Sequence, residues 1–416
     1  MAAKTPNLIS TTSRPPLRVG ILGTASIARK SSLAILHPSS RCSLSAVASR
    51  SASRAADFVQ RFGASSGSVA YGSYGDLIAD PDIDAIYVPL PTSLHLENVT
   101  LALRAGKHVL VEKPISVSLQ DYRDMIDAAS LTRRVIMDGT MFVHEPVRLP
   151  SFLKACTTDI GKVDRIESEF SFHGGEAFES SNIRMQADGD PLGCVGDMAW
   201  YSIRAAMLVY GRLDAHSGSG HGDAGGPLLP FAEAEAAVAT HFETNANGVP
   251  FDVSAIVYFK GNRTLHLHCG FRHALRQSLR VVGTCGVAVM DDFVLPRKGL
   301  PSYYMEEMSL TDMDVYSTTR RTEVVEETGS NFVQEVCLWR NFALLAHISG
   351  RNSEEENGSN GVTVKKSVST AEMDTKMPKL TEMQYWTNVS FHTQAVVCAI
   401  MKSIEEGSIK VSVERF

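Results

Sequence analysis

The sequence predicts an α/β protein joined to an α+β second half: a doubly wound parallel sheet, then an open, mainly antiparallel sheet with flanking helices. Three observations predict it. From Leu17 to about Gly139 short apolar runs alternate with amphipathic segments, the rhythm of strands linked by crossover helices. Beyond about residue 160, strand-like runs follow one another with little helix between them, as antiparallel neighbours allow. The 416 residues, 44% hydrophobic and 21% charged, suffice for two or three ordinary globular domains.

The chain begins with MAAKTPNLISTTSRPPLR, polar and without the apolar core of a secretory signal. A flexible tail over 1–16 is expected, although an acid-free, Ser/Thr-rich stretch also fits a short organellar presequence. LRVGILG reads as the first strand and 25–36 as its helix. LSAVAS (44–49) is the second strand, followed by a helix over 52–62. DAIYVPL (84–90) and HVLVE (108–112) are strands flanking the helical SLHLENVTLALRAG. A helix over 119–130 leads into RVIMDG.

In the second half VDRIESEFSFHG, EAEAAVATHFET, FDVSAIVYFK, NRTLHLHCGF, QSLRVVG and GVAVMDDFVL read as strands. DAHSGSGHGDAGGP (214–227) is a Gly/Ser-rich loop and 351–379 a polar excursion, with helices at about 331–349 and 386–406. The expected units are a nucleotide-binding domain over 17–143 and a substrate and oligomerisation domain over 144–380. The second carries insertions near 214–229 and 350–380, and a C-terminal helix over 381–416 packs back on the first domain.

A formal charge of −6 gives no basic face for nucleic acid, and no apolar run reaches membrane-spanning length. Seven cysteines, an odd number without C-x-x-C spacing, make neither a disulfide framework nor a metal site. Reduced thiols in the cytoplasm fit best.

The chemistry-bearing motifs sit at the ends of the predicted parallel strands. Gly23-Thr24-Ala25-Ser26-Ile27-Ala28 occupies the six places of G-x-G-x-x-G, with alanine at the second and third glycine positions. The first glycine permits a tight turn, and the following helix N-terminus offers N–H groups to a pyrophosphate. The second strand ends in Ser49, Arg50 and, a helical turn on, Arg54, with no carboxylate. Guanidinium groups there suit the 2′-phosphate of NADP rather than the bare ribose of NAD. Leu90, Pro91, Thr92 and His95 form a stiff loop beneath the cofactor, and Glu112 and Lys113 stop HVLVE before a proline. Ligands of open α/β sheets bind at such carboxyl ends, which turns Lys113 toward the cofactor. Asp197 and Tyr201, four apart, share one helix face and could flank one substrate oxygen.

Taken in order, GTASIA, ASRS, PLPTSLH, GKHVLVEKP, MDGTMFVHEP and GDMAWYSIRA resemble the glucose–fructose oxidoreductase / inositol dehydrogenase family. Within that family they look like the NADP-dependent dihydrodiol and D-xylose dehydrogenases, especially their plant relatives. The resemblance spans nearly all of the chain from Leu17 except the two polar insertions. It implies a Rossmann domain, a C-terminal open sheet that pairs subunits into dimers, and a sugar or cyclic diol as substrate. It makes Lys113, Asp197 and Tyr201 the catalytic residues, with Tyr201 as proton carrier and Lys113 lowering its pKa. Phe142 and His144 fall where the subgroup binds substrate, although relatives there often carry tryptophan and dihydrodiol dehydrogenases arginine. The alternative is a non-catalytic, dinucleotide-sensing regulator on the same fold, which would not need Lys113, Asp197 and Tyr201 together.

Overall fold

The computed structural model describes residues 15–63, 67–217, 229–297, 302–312, 315–324, 333–357 and 377–416. β1 (Leu17–Leu22), β2 (Cys42–Ala48), β3 (Val69–Tyr71), β4 (Ala85–Val88), β5 (His108–Val111) and β6 (Ile136–Asp138) form one parallel sheet in the order β3-β2-β1-β4-β5-β6. α1 (Ser26–Ile35), α2 (Ala52–Phe62), α3 (Tyr74–Ala79), α4 (His95–Arg104) and α5 (Leu119–Thr132) link these strands in chain order. β4 and β5 are buried at every residue, as strands covered on both faces must be. The strand order turns back between β1 and β4, so a crevice opens above their carboxyl ends. The brief β3 is not among the strands read from the sequence, which makes HVLV the fifth strand and not the fourth.

Past α6 (Arg148–Thr158) lies the second sheet. It contains β7 (Val163–Ser171), β8 (Ala234–Thr244), β9 (Pro250–Phe259), β10 (Arg263–Gly270), β11 (Arg276–Gly283), β12 (Val287–Met290), β13 (Ser302–Asp312), β14 (Val315–Val324) and β15 (Val411–Ser412). Their order is β14-β13-β12-β11-β7-β10-β9-β8-β15, antiparallel except where β7 meets β10. In β9, Phe251, Val253, Ala255, Val257 and Phe259 are buried while Ser254, Ile256 and Tyr258 are more exposed. That period of two gives the sheet a covered and an open face. Between β7 and β8 come α7 (Glu176–Ser181) and α8 (Trp200–Ser217), the latter buried at every residue from Trp200 to Gly211, as a helix sandwiched on all sides is. α9 (Val333–Asn357) and α10 (Met377–Glu405) complete the α-helices among the described residues.

Both late helices run further than the sequence predicts, so the ends of the polar 351–379 stretch are helical; 358–376 lies outside the described residues, as do 1–14 and 218–228. The hairpin of β13 and β14 pairs from Ser302 opposite Val324 onward. Its sequence mixes charged and hydroxyl residues without an apolar run, so periodicity gives no strand signal there.

A buried polar cluster joins the two halves. Asp138, the last residue of β6, accepts a 3.1 Å hydrogen bond from Arg204 of α8 and another from the Ser390 hydroxyl of α10. Arg204 also donates to Thr393 Oγ1 at 2.7 Å, and Trp200 Nε1 to Thr140 Oγ1 at 2.8 Å.

Candidate active site

β1 delivers the chain to Gly23, whose φ of +92° lies in the left-handed region. A Cβ there would also stand 3.1 Å from Leu90 Cδ2, so any side chain would add a shift of Leu90 to the backbone strain. α1 then begins with no side-chain cap and no acidic residue in its first turn, leaving its N–H groups open to an anion. Ala25, Ser26 and Ile27 line a cleft of about 620 Å³ whose floor includes Leu90, Pro91 and Thr92. Thr24 is half-buried beside the turn. At the end of β2, Ser49 is buried and accepts the Ser51 N–H at 3.4 Å, while Arg50 and Arg54 are exposed. His95 opens α4 with both ring nitrogens against backbone carbonyls, 2.9 Å from Leu90 O and 3.2 Å from Ile115 O. It is buried and does not line the cleft. Its geometry fixes the two loops that follow β4 and β5 against each other, the packing role that the sequence left open beside a cofactor contact.

On the opposite wall β5 ends at Val111, and the Lys113–Pro114 peptide is cis. Lys113 Nζ donates to Asp197 Oδ1 at 2.6 Å and to the Asp197 carbonyl at 2.7 Å. The other carboxylate oxygen takes Arg184 Nε at 2.9 Å. Asp197 sits in a π-helical turn, Val195–Ala199, that runs straight into α8, and Tyr201 lies at the start of α8. Both side chains face the cleft, and Lys113 Nζ stands 4.8 Å from the centre of the Tyr201 ring. Glu112 is wedged behind them. Its Oε1 accepts the Tyr87 hydroxyl at 2.5 Å, and a Cβ on Gly139 would lie 3.0 Å from that oxygen.

Burial alone would raise the Asp197 carboxyl, but Arg184 and Lys113 hold it well below the usual carboxylate range. Burial pushes the Tyr201 phenol well above 10, and the carboxylates of Glu112 and Asp197 push it the same way. The lowering expected from Lys113 is therefore not what the structure has. The ammonium lies over the ring face, and Asp197 takes its hydrogen bonds.

Phe142 and His144 stand off the cleft wall. Phe142 packs edge-on against Tyr201 and Phe293, with ring centres 6.0 and 5.7 Å apart. His144 is buried, stacked on Trp386 at 4.6 Å, and accepts the Asn341 amide at Nδ1. One backs the tyrosine and the other pins α9 and α10, and neither is among the residues lining the cleft. Arg184 and Asp190 also line the cleft and are absent from the sequence expectations. Arg184 locks Asp197, and Asp190 accepts the Thr92 N–H at 2.9 Å, tying the substrate side to the cofactor loop. Both lie in the turn-rich run NIRMQADGDPLGCVGD that ends at Asp197, but no spacing rule ties either residue to the site.

A doubly wound sheet with an open glycine turn, facing a lysine, an acid and a phenol across one cleft, defines a dinucleotide-dependent oxidoreductase. Residues 17–140 match the model for the oxidoreductase family with the NAD-binding Rossmann fold, and residues 157–289 match the GFO/IDH/MocA C-terminal domain. The chain belongs to the GFO/IDH/MocA oxidoreductase family. It is 37% identical over 196 residues to a dTDP-3,4-didehydro-2,6-dideoxy-alpha-D-glucose 3-reductase of Actinomadura kijaniata, covering 47% of this chain and 57% of that one. A D-xylose 1-dehydrogenase (NADP(+)) of Haloferax volcanii is 29% identical over 267 residues, 64% of this chain and 73% of the relative. A solved 3-ketoreductase from Actinomadura kijaniata, in complex with NADP and TDP-benzene, superposes with a TM-score of 0.70 at 25% identity over 93% of this chain and 98% of its own.

Proposed function

We propose that the chain is an NADP(H)-dependent oxidoreductase acting between a secondary alcohol and a carbonyl on a sugar such as D-xylose, or on a cyclic trans-dihydrodiol. The observation that carries this reading is the joining of Lys113, Asp197 and Tyr201 on one wall of a cleft. The uncapped start of α1 lies on the same cleft. Relatives named for NADP and for sugars support it.

The residues present fit the dinucleotide: the Gly23 turn and the α1 N-terminus for the pyrophosphate, and Ser49, Arg50 and Arg54 for a 2′-phosphate. When bound, the nicotinamide supplies or accepts the hydride. The protein's own part is proton transfer and alignment. Tyr201 gives its proton to a carbonyl oxygen in reduction and takes it back in oxidation. Lys113, fixed by Asp197, presents positive charge to that oxygen. Asp197, kept ionised by Arg184 and Lys113, accepts a neighbouring substrate hydroxyl.

Residues 17–143 would form the cofactor-binding unit and 144–380 the substrate unit, with 381–416 returning to the first. The open face of the second sheet is the surface on which two chains would pair. The seven cysteines are free, consistent with work in a reducing cytoplasm, and no described helix is long and apolar enough to cross a membrane. Steady-state assays with NADP and NAD against aldoses and trans-dihydrodiols test the reading. Tight NADP binding without turnover of any of them would favour a dinucleotide-sensing regulator instead.

A further inference from the structure

On the open face of the second sheet, away from the cleft, three strands and a loop bring imidazoles to one carboxylate. Asp252 of β9, His268 of β10 and His273 of the loop after β10 offer donor atoms that all lie within 4.8 Å of one another. His273 Nε2 stands 2.8 Å and His268 Nε2 3.9 Å from Asp252 Oδ2, while His241 Nε2, from β8, is 3.7 Å from Oδ1. A tetrahedral ion with bonds of about 2.0–2.1 Å holds its donors roughly 3.4 Å apart. Small side-chain rotations would bring Asp252, His268 and His273 to that spacing, and His241 stands just outside this group, beside the other carboxylate oxygen.

The sheet register explains the gathering. His241 and His268 lie opposite Ser254 on its two neighbouring strands, one outward-facing position along from Asp252. Gly270 lies opposite Asp252 itself. A Cβ on Gly270 would stand 2.6 Å from Asp252 Oδ2 and 3.5 Å from His273 Cδ2, so the bare glycine makes the room in which carboxylate and loop imidazole meet. Ser254 Oγ lies 3.1 Å from His268 Nδ1. That occupies one ring nitrogen and leaves Nε2 to face Asp252, as an outer partner does for a metal-bound histidine.

The electrostatics also ask for a cation. The Asp252 side chain is only 8% exposed, and among the described residues its ion-pair partners are all imidazoles. A buried carboxylate needs a compensating charge or a metal. Arg272, the nearby guanidinium, is held by Glu179 at 3.0 Å and Glu243 at 3.2 Å. Imidazole nitrogens with one carboxylate are the donor set of zinc and its first-row neighbours, not of calcium or magnesium.

We propose that Asp252, His268 and His273, with His241 as a fourth ligand, form a binding site for a divalent transition-metal ion of the zinc class. Untagged, chelator-stripped protein is titrated with zinc chloride by calorimetry, and separately with cobalt chloride followed by visible absorption. The site predicts one equivalent per chain and the absorption of four-coordinate cobalt. His268→Ala and His273→Ala should each weaken zinc binding at least ~10-fold, the scale on which even outer-shell losses act. His273 is exposed in its loop, so its removal should spare the fold; unchanged NADP binding by both variants verifies this. Absence of a saturable equivalent in the native protein overturns the proposal, and so does a His273→Ala variant that binds zinc as tightly as the native chain.

Discussion

Tyr201 and Arg50 show how differently single residues are read. The spacing of Asp197 and Tyr201 placed an acid and a phenol on one helix face, but only the structure shows which charges reach the hydroxyl. Burial, with Glu112 and Asp197 adding to it, keeps the phenol protonated far into the alkaline range. In the reduction direction Tyr201 then holds its proton at every pH from 6 to 9, and no alkaline limb should arise from it. In oxidation the proton-accepting form is scarce, so kcat/KM should climb with pH across 7–9 without levelling. Tyr201→Phe should lower turnover by at least ~100-fold, the usual size of an acid–base contribution, and abolish that climb. A native plateau near neutral pH would show that a cation in the loaded enzyme depresses the phenol after all. Arg50, exposed at the end of β2, is a simpler case. An arginine can fork onto a 2′-phosphate, and with Arg54 it should favour NADP over NAD by ~100-fold even after solvent screening. Arg50→Asp adds repulsion toward the phosphate and an acceptor for the ribose hydroxyls, so the ratio of kcat/KM values should swing toward NAD. An unaltered ratio would remove this loop from cofactor selection.

Elements differ in how clearly the sequence announces them, and the reason is burial. β4 and β5 are covered on both faces, so DAIYV and HVLV stand out as apolar runs, and every strand of the parallel half except β3 was legible. β13 and β14 carry no such run, and the three-residue β3 is too short for any periodicity. Lys113 was legible because a lysine and a proline end an apolar strand at the edge where ligands bind. Arg184 was not, because it comes from a 3-10 turn, Ile183–Met185, whose contact with Asp197 no spacing rule foretells. The same applies to the junction of β6, α8 and α10. Asp138 and Arg204 are each only 1% exposed in their side chains, and each would be uncompensated without the other. Asp138→Asn removes the charge that balances Arg204 and should cost about 3–5 kcal/mol, the price of a broken buried ion pair. Urea unfolding at pH 7 measures it, and a loss below about 1 kcal/mol would show that water or rearrangement relieves Arg204.

The whole molecule's response to acid follows from histidines that the fold keeps neutral. Burial lowers His108 and His144 to about 3, with the nearby Arg134 acting in the same direction on His108. Their hydrogen bonds agree, since His108 Nδ1 accepts the Val135 N–H at 3.1 Å and His144 Nδ1 accepts the Asn341 amide at 2.9 Å. A protonated ring would turn each acceptor into a donor facing a donor. In the unfolded chain both titrate near 6.5, so below that pH the unfolded state binds protons that the native state refuses. Stability is therefore full above about pH 6.5 and declines as pH falls toward 3. Each histidine contributes a slope of about 1.4 kcal/mol per pH unit once its unfolded form is charged. The carboxylates of Asp138 and Asp197, both lowered, add their own loss only below about pH 4, where unfolded aspartate protonates. Between pH 6 and pH 4.5 the decline should thus belong chiefly to buried histidine. His108→Asn keeps an acceptor for the Val135 N–H while removing the titrating ring. It should flatten the unfolding free energy measured against pH across that window by about one proton's slope, whatever it does to stability at pH 8. An equally steep decline in the variant would mean that His108 is protonated in the folded protein, and the acid sensitivity would have to be sought in other groups.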